Sequence, residues 1–293
     1  LEFPHLHKLK LPTKMRKYKI INTLALWLAT TTILCSTISC GRDGHHSTPT
    51  NKPLNITIYL DLSDRLTRDL QPNQKERDIA IVNKFVQTFK DACVKDKIIR
   101  TKNHMRVIFY PSPNSSEIAT LASVLEVDMA KLKGKEKKKA LQEMDKRFTN
   151  SLSQIYDETL KAKKWIGSDI WCFFSNKKVD EICMRKGYRN ILVVLTDGYL
   201  FHANNKVKTG NAYSYVLPQT LQNPKSSLIV KRKGLNNLEV LMLEVNPYDP
   251  KAHDKMQSVL ENWFKGMGVK RFVVSETDLP SNTATVIENF ISQ

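Results

Sequence analysis

Two apolar runs that each end on an aspartate constrain this chain more than any other feature. In residues 55–65, NITIYLDLSDR, Ile56, Ile58 and Leu60 alternate with Thr57 and Tyr59 before the pattern stops at Asp61. A short run rich in β-branched and aromatic residues predicts a buried strand. Residues two apart in an extended segment face the same way, so Asp61 and Ser63 leave the strand end together. Residues 191–198, ILVVLTDG, repeat the design and end on Asp197. Two core strands that each deliver a carboxylate to one sheet edge are the main functional clue.

Between and after these strands lie segments of helical period. Residues 74–95 place Val82, Phe85, Val86, Phe89 and Cys93 on one face, and residues 251–267 do the same with Met256, Val259, Leu260, Trp263 and Phe264. Further strands are expected at 104–110, 238–245 and 270–275, with a last helix at 280–291. Residues 125–129 fit either a short strand or part of a helix. The charge run at 131–147, KLKGKEKKKALQEMDKR, reads as a solvated helix face held down by Leu141, Met144 and Phe148, with a membrane-surface or acidic-partner patch as the alternative. A separate helix is expected over 149–164. Another is expected from Ser168, a natural N-cap, to about Arg185. Strands alternating with helices predict an α/β fold, a doubly wound and mostly parallel central sheet flanked by helices. Ligands bind such sheets at the carboxyl ends of the strands, where strand order reverses. Insertions are expected near 111–166 and 198–237, the latter a long excursion.

The start of the chain has another character. Arg16, Lys17 and Lys19 precede the uncharged, mostly apolar residues 20–38, and Thr37-Ile38-Ser39 precedes Cys40. Charged start, apolar centre and small residue at the cut are the layout of a secretory signal. The Thr-Ile-Ser-Cys segment resembles a bacterial lipobox, which implies lipidation of Cys40 and removal of residues 1–39. Residues 40–54 then form a flexible tether with a reach of roughly 20 Å, and residues 55–293 the folded domain. The expected location is the bacterial cell envelope, lipid-anchored, on the periplasmic or surface side of the outer membrane. Without residues 1–39 the 46 basic and 29 acidic residues become 40 and 28, a formal charge of +12. That balance favours an anionic membrane surface or acidic partners. Nucleic acid is not expected, because no recognition motif accompanies the charge. Cys93, Cys172 and Cys183 are an odd set, and Cys172 and Cys183 lie too far apart to bridge on one unbroken helix, so no essential disulfide is expected.

The motifs Asp61-Leu62-Ser63, Gly167-Ser168-Asp169-Ile170 and Thr196-Asp197-Gly198, in this order, resemble a von Willebrand factor type A domain with a metal-ion-dependent adhesion site. The resemblance covers about residues 55–293. It implies a Mg²⁺ site (or Mn²⁺ or Ca²⁺) formed by Asp61, Ser63, Ser168 and Asp197, completed by an acidic side chain of a protein partner. Where the family has a second serine this chain has Arg65, which has no lone pair to offer a cation. Arg65 then either turns outward and leaves its place to water, turns inward and substitutes for the metal charge, or pairs with Asp64. The alternatives to a metal-dependent binding module are a metal-free scaffold that binds through its loops and a carboxylate-based hydrolase. G-x-S-x-G, H-E-x-x-H and a phosphate loop are absent. His104, His202 and His253 remain as possible bases, with His202 nearest in sequence to Asp197.

Overall fold

A computed structural model describes residues 52–162, 168–199, 206–209, 212–215 and 234–293. All of them belong to one compact unit, Asn51–Gln293. The signal, lipobox and tether readings, Gly167 of the second motif, His202 and most of the 198–237 excursion lie outside the described residues. Among those described, no helix is long and apolar enough to cross a membrane.

The centre is a six-stranded sheet in the order β3-β2-β1-β4-β7-β8. Its members are β1 (Leu54–Leu60), β2 (His104–Ile108), β3 (Glu126–Asp128), β4 (Arg189–Leu195), β7 (Leu238–Val245) and β8 (Arg271–Glu276). Every pairing is parallel except that of β3 with β2, so the doubly wound expectation holds. Within residues 125–129, Glu126–Asp128 form a short strand on the sheet edge. A separate hairpin joins β5 (Lys206–Thr209) and β6 (Ala212–Tyr215). The element order is consistent with a von Willebrand factor type A-like fold.

Alternation along each strand divides two cores. Ile56, Ile58 and Leu60 of β1, with Ile191, Val193 and Leu195 of β4, face α1 (Gln74–Lys95), α3 (Gly134–Ala162) and α7 (Pro280–Ser292). Tyr59, Leu192 and Val194 face the other way, toward α4 (Ile170–Ser175), α5 (Lys178–Cys183) and α6 (His253–Gly266). A short helix α2 (Ser116–Ser123) precedes β3. Helix α1 begins at a capping box, Asn73 accepting from the Glu76 amide while Glu76 accepts from that of Asn73, and its buried stripe of Val82, Phe85, Val86, Phe89 and Cys93 is the expected one.

Two expectations change. The charge run and the helix after it are one helix, α3. Thr149, Asn150 and Ser151 are weak helix formers, but Phe148, Leu152 and Ile155 are buried on either side of them, and that burial carries the helix through. As expected, Leu141, Met144 and Phe148 are buried and hold the charged face down. Conversely, the helix expected from Ser168 to Arg185 is two. Lys177 adopts a left-handed conformation, φ 59°, between α4 and α5. The N-cap of α4 is Asp169, which accepts from the Cys172 amide at 2.8 Å, one position later than expected.

Candidate functional site

Strands β1 and β4 are neighbours in register from Leu54↔Arg189 to Leu60↔Leu195. The sheet order turns there, because the chain leaves β1 for β2 on one side and reaches β4 on the other. Asp61 and Thr196-Asp197 therefore emerge side by side. The Asp61 amide donates to the Leu195 carbonyl at 3.0 Å, which continues the parallel ladder to the tip.

Asp61 is held by its neighbours. One carboxylate oxygen accepts from the Ser63 amide at 2.9 Å, the other from the Thr196 hydroxyl at 2.7 Å. Asp197 accepts from the Tyr199 amide at 3.2 Å. Both carboxylates are buried, Asp61 at 1% exposure and Asp197 at 5%. Burial pushes Asp61 up, against the opposing pull of Arg65 and of the hydrogen bonds from Thr196 and Ser63. Asp197 is pushed up to about 7, by burial first and by the like charge of Asp61 second. Each carboxylate thus raises the cost of ionising the other.

Arg65 takes none of the three expected courses in full. It turns inward and is fully buried, but not toward the carboxylate pair. Its Nε donates to the Asp61 carbonyl at 2.9 Å, and its terminal nitrogens reach Asp78 of α1, the nearer at 2.5 Å. Among the described residues no hydrogen bond joins its guanidinium to the Asp61 or Asp197 carboxylate. Burial opposes the Arg65 charge, and Asp78 beside it more than reverses that effect. Asp64 is exposed and does not pair with it. Asp78 also accepts from Gln74 at 2.9 Å and from the Tyr156 hydroxyl.

This buried network extends to β7. Gln74 and Arg77 bind Glu244, Arg77 Nε at 2.7 Å. Glu244 has φ 68°, and the β7–β8 register shifts between Met242 and Val245. The extra residue is a bulge. It places Val245 on the same core face as Met242 and leaves the Glu244 carboxylate to α1.

Ser168 reaches the same sheet edge, but its hydroxyl donates to Tyr59 Oη at 2.8 Å, and Tyr59 in turn donates to the Tyr110 carbonyl. No described contact joins Ser168 to either carboxylate. Sequence reasoning missed Arg68. Its guanidinium lies over the Tyr248 ring at 4.0 Å, donates to the Asn246 carbonyl and stands 4.0 Å from Asp197. The only signal in the sequence was its place in the loop after Asp61. Thr196 and Asp78 were missed too; Thr196 precedes Asp197, whereas nothing local marked Asp78.

The described histidines are elsewhere. His104 is buried at the opposite edge, its ring nitrogens on Asn55 at 2.6 Å and Glu126 at 2.8 Å. His253 pairs with Glu276 at 3.2 Å. The His104, Glu126 and Asp128 ligand atoms lie within 4.8 Å of one another. Arg185 already supplies the positive charge there, bonding Asp128 at 2.8 Å.

For a divalent ion the donors are Asp61, Ser63 and Asp197, two carboxylates and a hydroxyl. In chemistry alone, these are donors of the type a hard cation takes. Ser168 is turned to Tyr59, and Arg68 is a nearby positive charge that weakens the fit.

No family model matches this chain, and no curated protein does. Among solved structures, the chain is similar to the pilus adhesin SpaC of Lactobacillus rhamnosus GG in its open conformation, with a TM-score of 0.42 and 12% identity over 82% of this chain and 30% of the adhesin. It is also similar to the conserved hypothetical protein BatB of Bacteroides thetaiotaomicron, with a TM-score of 0.35 and 11% identity over 82% of this chain and all of that one. The chain thus spans about a third of the adhesin's length. At these scores the likeness carries nothing about what this chain binds.

Proposed function

We propose that this protein is an exported, lipid-anchored binding module of the bacterial cell envelope. Its strand-tip edge engages a protein partner through a divalent cation between Asp61 and Asp197. One observation carries the reading: two buried carboxylates from adjacent parallel strands confront each other, and Arg65 is turned to Asp78. Asp61, Ser63 and Asp197 would hold Mg²⁺ or Mn²⁺, with water in the remaining positions. Bound, the ion supplies an electrophilic position that a partner carboxylate can complete.

Arg68 supports a second reading, a metal-free scaffold. Its charge stands 4.0 Å from Asp197 and offers the pair a permanent counter-ion. Calorimetric titration with Mg²⁺ and Mn²⁺ separates the two. The metal reading expects saturable binding by the wild type, loss in Asp61→Ala and Asp197→Ala, and severalfold tighter binding in Arg68→Ala. Equal heats from wild type and Asp61→Ala would sink it. Binding by Arg68→Ala alone would establish the scaffold.

A further inference from the structure

The fold joins two basic segments that are far apart in sequence, at the edge opposite the aspartates. Residues 95–102, KDKIIRTK, turn from α1 into β2 and carry four basic side chains against Asp96. Residues 131–139, KLKGKEKKK, lead from β3 into α3 and carry six against Glu136. Lys137 ties them together: its Nζ donates to the carbonyls of Ile99 at 2.9 Å and Thr101 at 2.7 Å. The Met129 amide donates to the Asn103 carbonyl at 3.0 Å, and the Leu54 amide to Asn103 Oδ1 at 2.8 Å. The basic cluster therefore sits where the chain enters β1. Arg100, Lys102, Lys133 and Lys135 are exposed, outside the buried network. Two aliphatic side chains stand out among them, Val94 at 62% exposure and Ile99 at 68%.

We propose that this edge is a docking surface for an anionic lipid bilayer. Basic side chains around protruding aliphatic tips suit a surface that is negatively charged outside and apolar a few ångströms in. Nucleic acid is a poorer match: single strands are held on aromatic platforms, and the one large aromatic side chain exposed among the described residues, Tyr248, lies at the far edge beside Arg68. The far edge is mixed in charge: Asp61, Asp64, Asp197 and Asp249 stand there with Arg65, Arg68 and Arg77. Helix α1 spans the distance between the edges, about 33 Å for its 22 residues. A domain docked by its basic edge holds the carboxylate pair away from the bilayer, toward a partner. The docking surface uses none of the residues of the proposed cation site.

The unit Asn51–Gln293 contains both described cores, so it can be produced alone and its folding checked by circular dichroism. Flotation in chelator, with vesicles of phosphatidylcholine alone or with one third phosphatidylglycerol, tests the proposal without the cation site. The wild type is expected to float with the anionic vesicles only, and less so as salt is raised. Reversing Arg100, Lys102, Lys133 and Lys135 to Glu should weaken partition by roughly a hundredfold or more, at a few-fold for each basic residue. Ile99→Asp should weaken it severalfold and leave the salt dependence. Reversing the exposed Lys146, Lys161 and Lys251 and the half-buried Lys178 changes net charge equally and should leave most of the binding. Equal flotation with both vesicle types overturns the proposal. So does an equal loss in the two reversal variants, or binding to an acidic protein or oligonucleotide without binding to anionic vesicles.

Discussion

At the residue scale, the strand-tip edge separates two kinds of buried charge. Arg65 and Asp78 are a paired, structural kind. Arg65→Met leaves Asp78 buried without its cation, and breaking one side of such a pair costs about 3–5 kcal/mol; urea unfolding should register that loss, and a change below about 1 kcal/mol would mean the pair is not buried as described. Asp61 and Asp197 are only partly compensated, by Arg65 and Arg68, and their linkage has the opposite sign. Burial and the charge of Asp61 push the Asp197 carboxyl up to about 7 in the fold, from its ordinary 3.8. The folded state therefore holds the proton more tightly, and stability is full below about 3.8 and falls as pH rises through 7. In chelator, Asp197→Asn should match the wild type at acid pH and exceed it by roughly a few kcal/mol above pH 8. Equal pH profiles for the two proteins would refute the strained pair. Gly198, next to Asp197, is constrained by space instead of charge. Its φ is +96°, and a Cβ there would meet Met256 Sδ at 2.6 Å and Val245 Cγ1 at 3.0 Å. Gly198→Ala should cost about 1–3 kcal/mol, from backbone strain and overpacking together.

At the element scale, the strands and the amphipathic helices were legible because period 2 and period 3.6 are local signals. Helix α1 falls over the expected residues, and β1 and β4 hold the expected apolar runs. The misjudged elements were decided by packing. Helix α3 runs through Thr149–Ser151 because Phe148 and Leu152 are buried on either side. The segment after Ser168 breaks at Lys177, so Phe173, Phe174, Val179 and Cys183 all reach one core. The β2–β3 edge carries a pH signal of its own. The hydrogen bond from His104 holds Glu126 down at about 2, and burial lowers His104. A depressed carboxylate contributes stability that is present above its unfolded value and lost as pH falls toward 2; a depressed histidine loses stability as pH falls below 6.5. Both act in acid. Glu126 is partly exposed, so solvent screens the pair, and Glu126→Gln should flatten the acid limb of the stability profile by less than about 1 kcal/mol.

At the scale of the whole molecule, Cys93, Cys172 and Cys183 are free thiols. The thermal midpoint of the Asn51–Gln293 unit should therefore be the same with and without reductant; a drop on reduction would reveal a disulfide. A ligand that binds only the folded state stabilises it by about 2.7 kcal/mol at a hundred times its dissociation constant. Saturating Mg²⁺ or Mn²⁺ should raise the wild-type midpoint and leave Asp61→Ala unmoved.

The sequence by itself determined the sheet class, the main parallel strands, helices α1, α6 and α7, and the two aspartates at strand ends, since these follow from spacing along the chain. Tertiary structure alone decided where Arg65 and Ser168 point, because Asp78 lies thirteen residues beyond Arg65 on α1 and Tyr59 lies more than a hundred residues from Ser168. It also brought Arg68 to Asp197, and residues 95–102 to 131–139. A side chain turns toward the charge or donor that the packed elements bring to it, and that choice has no local trace.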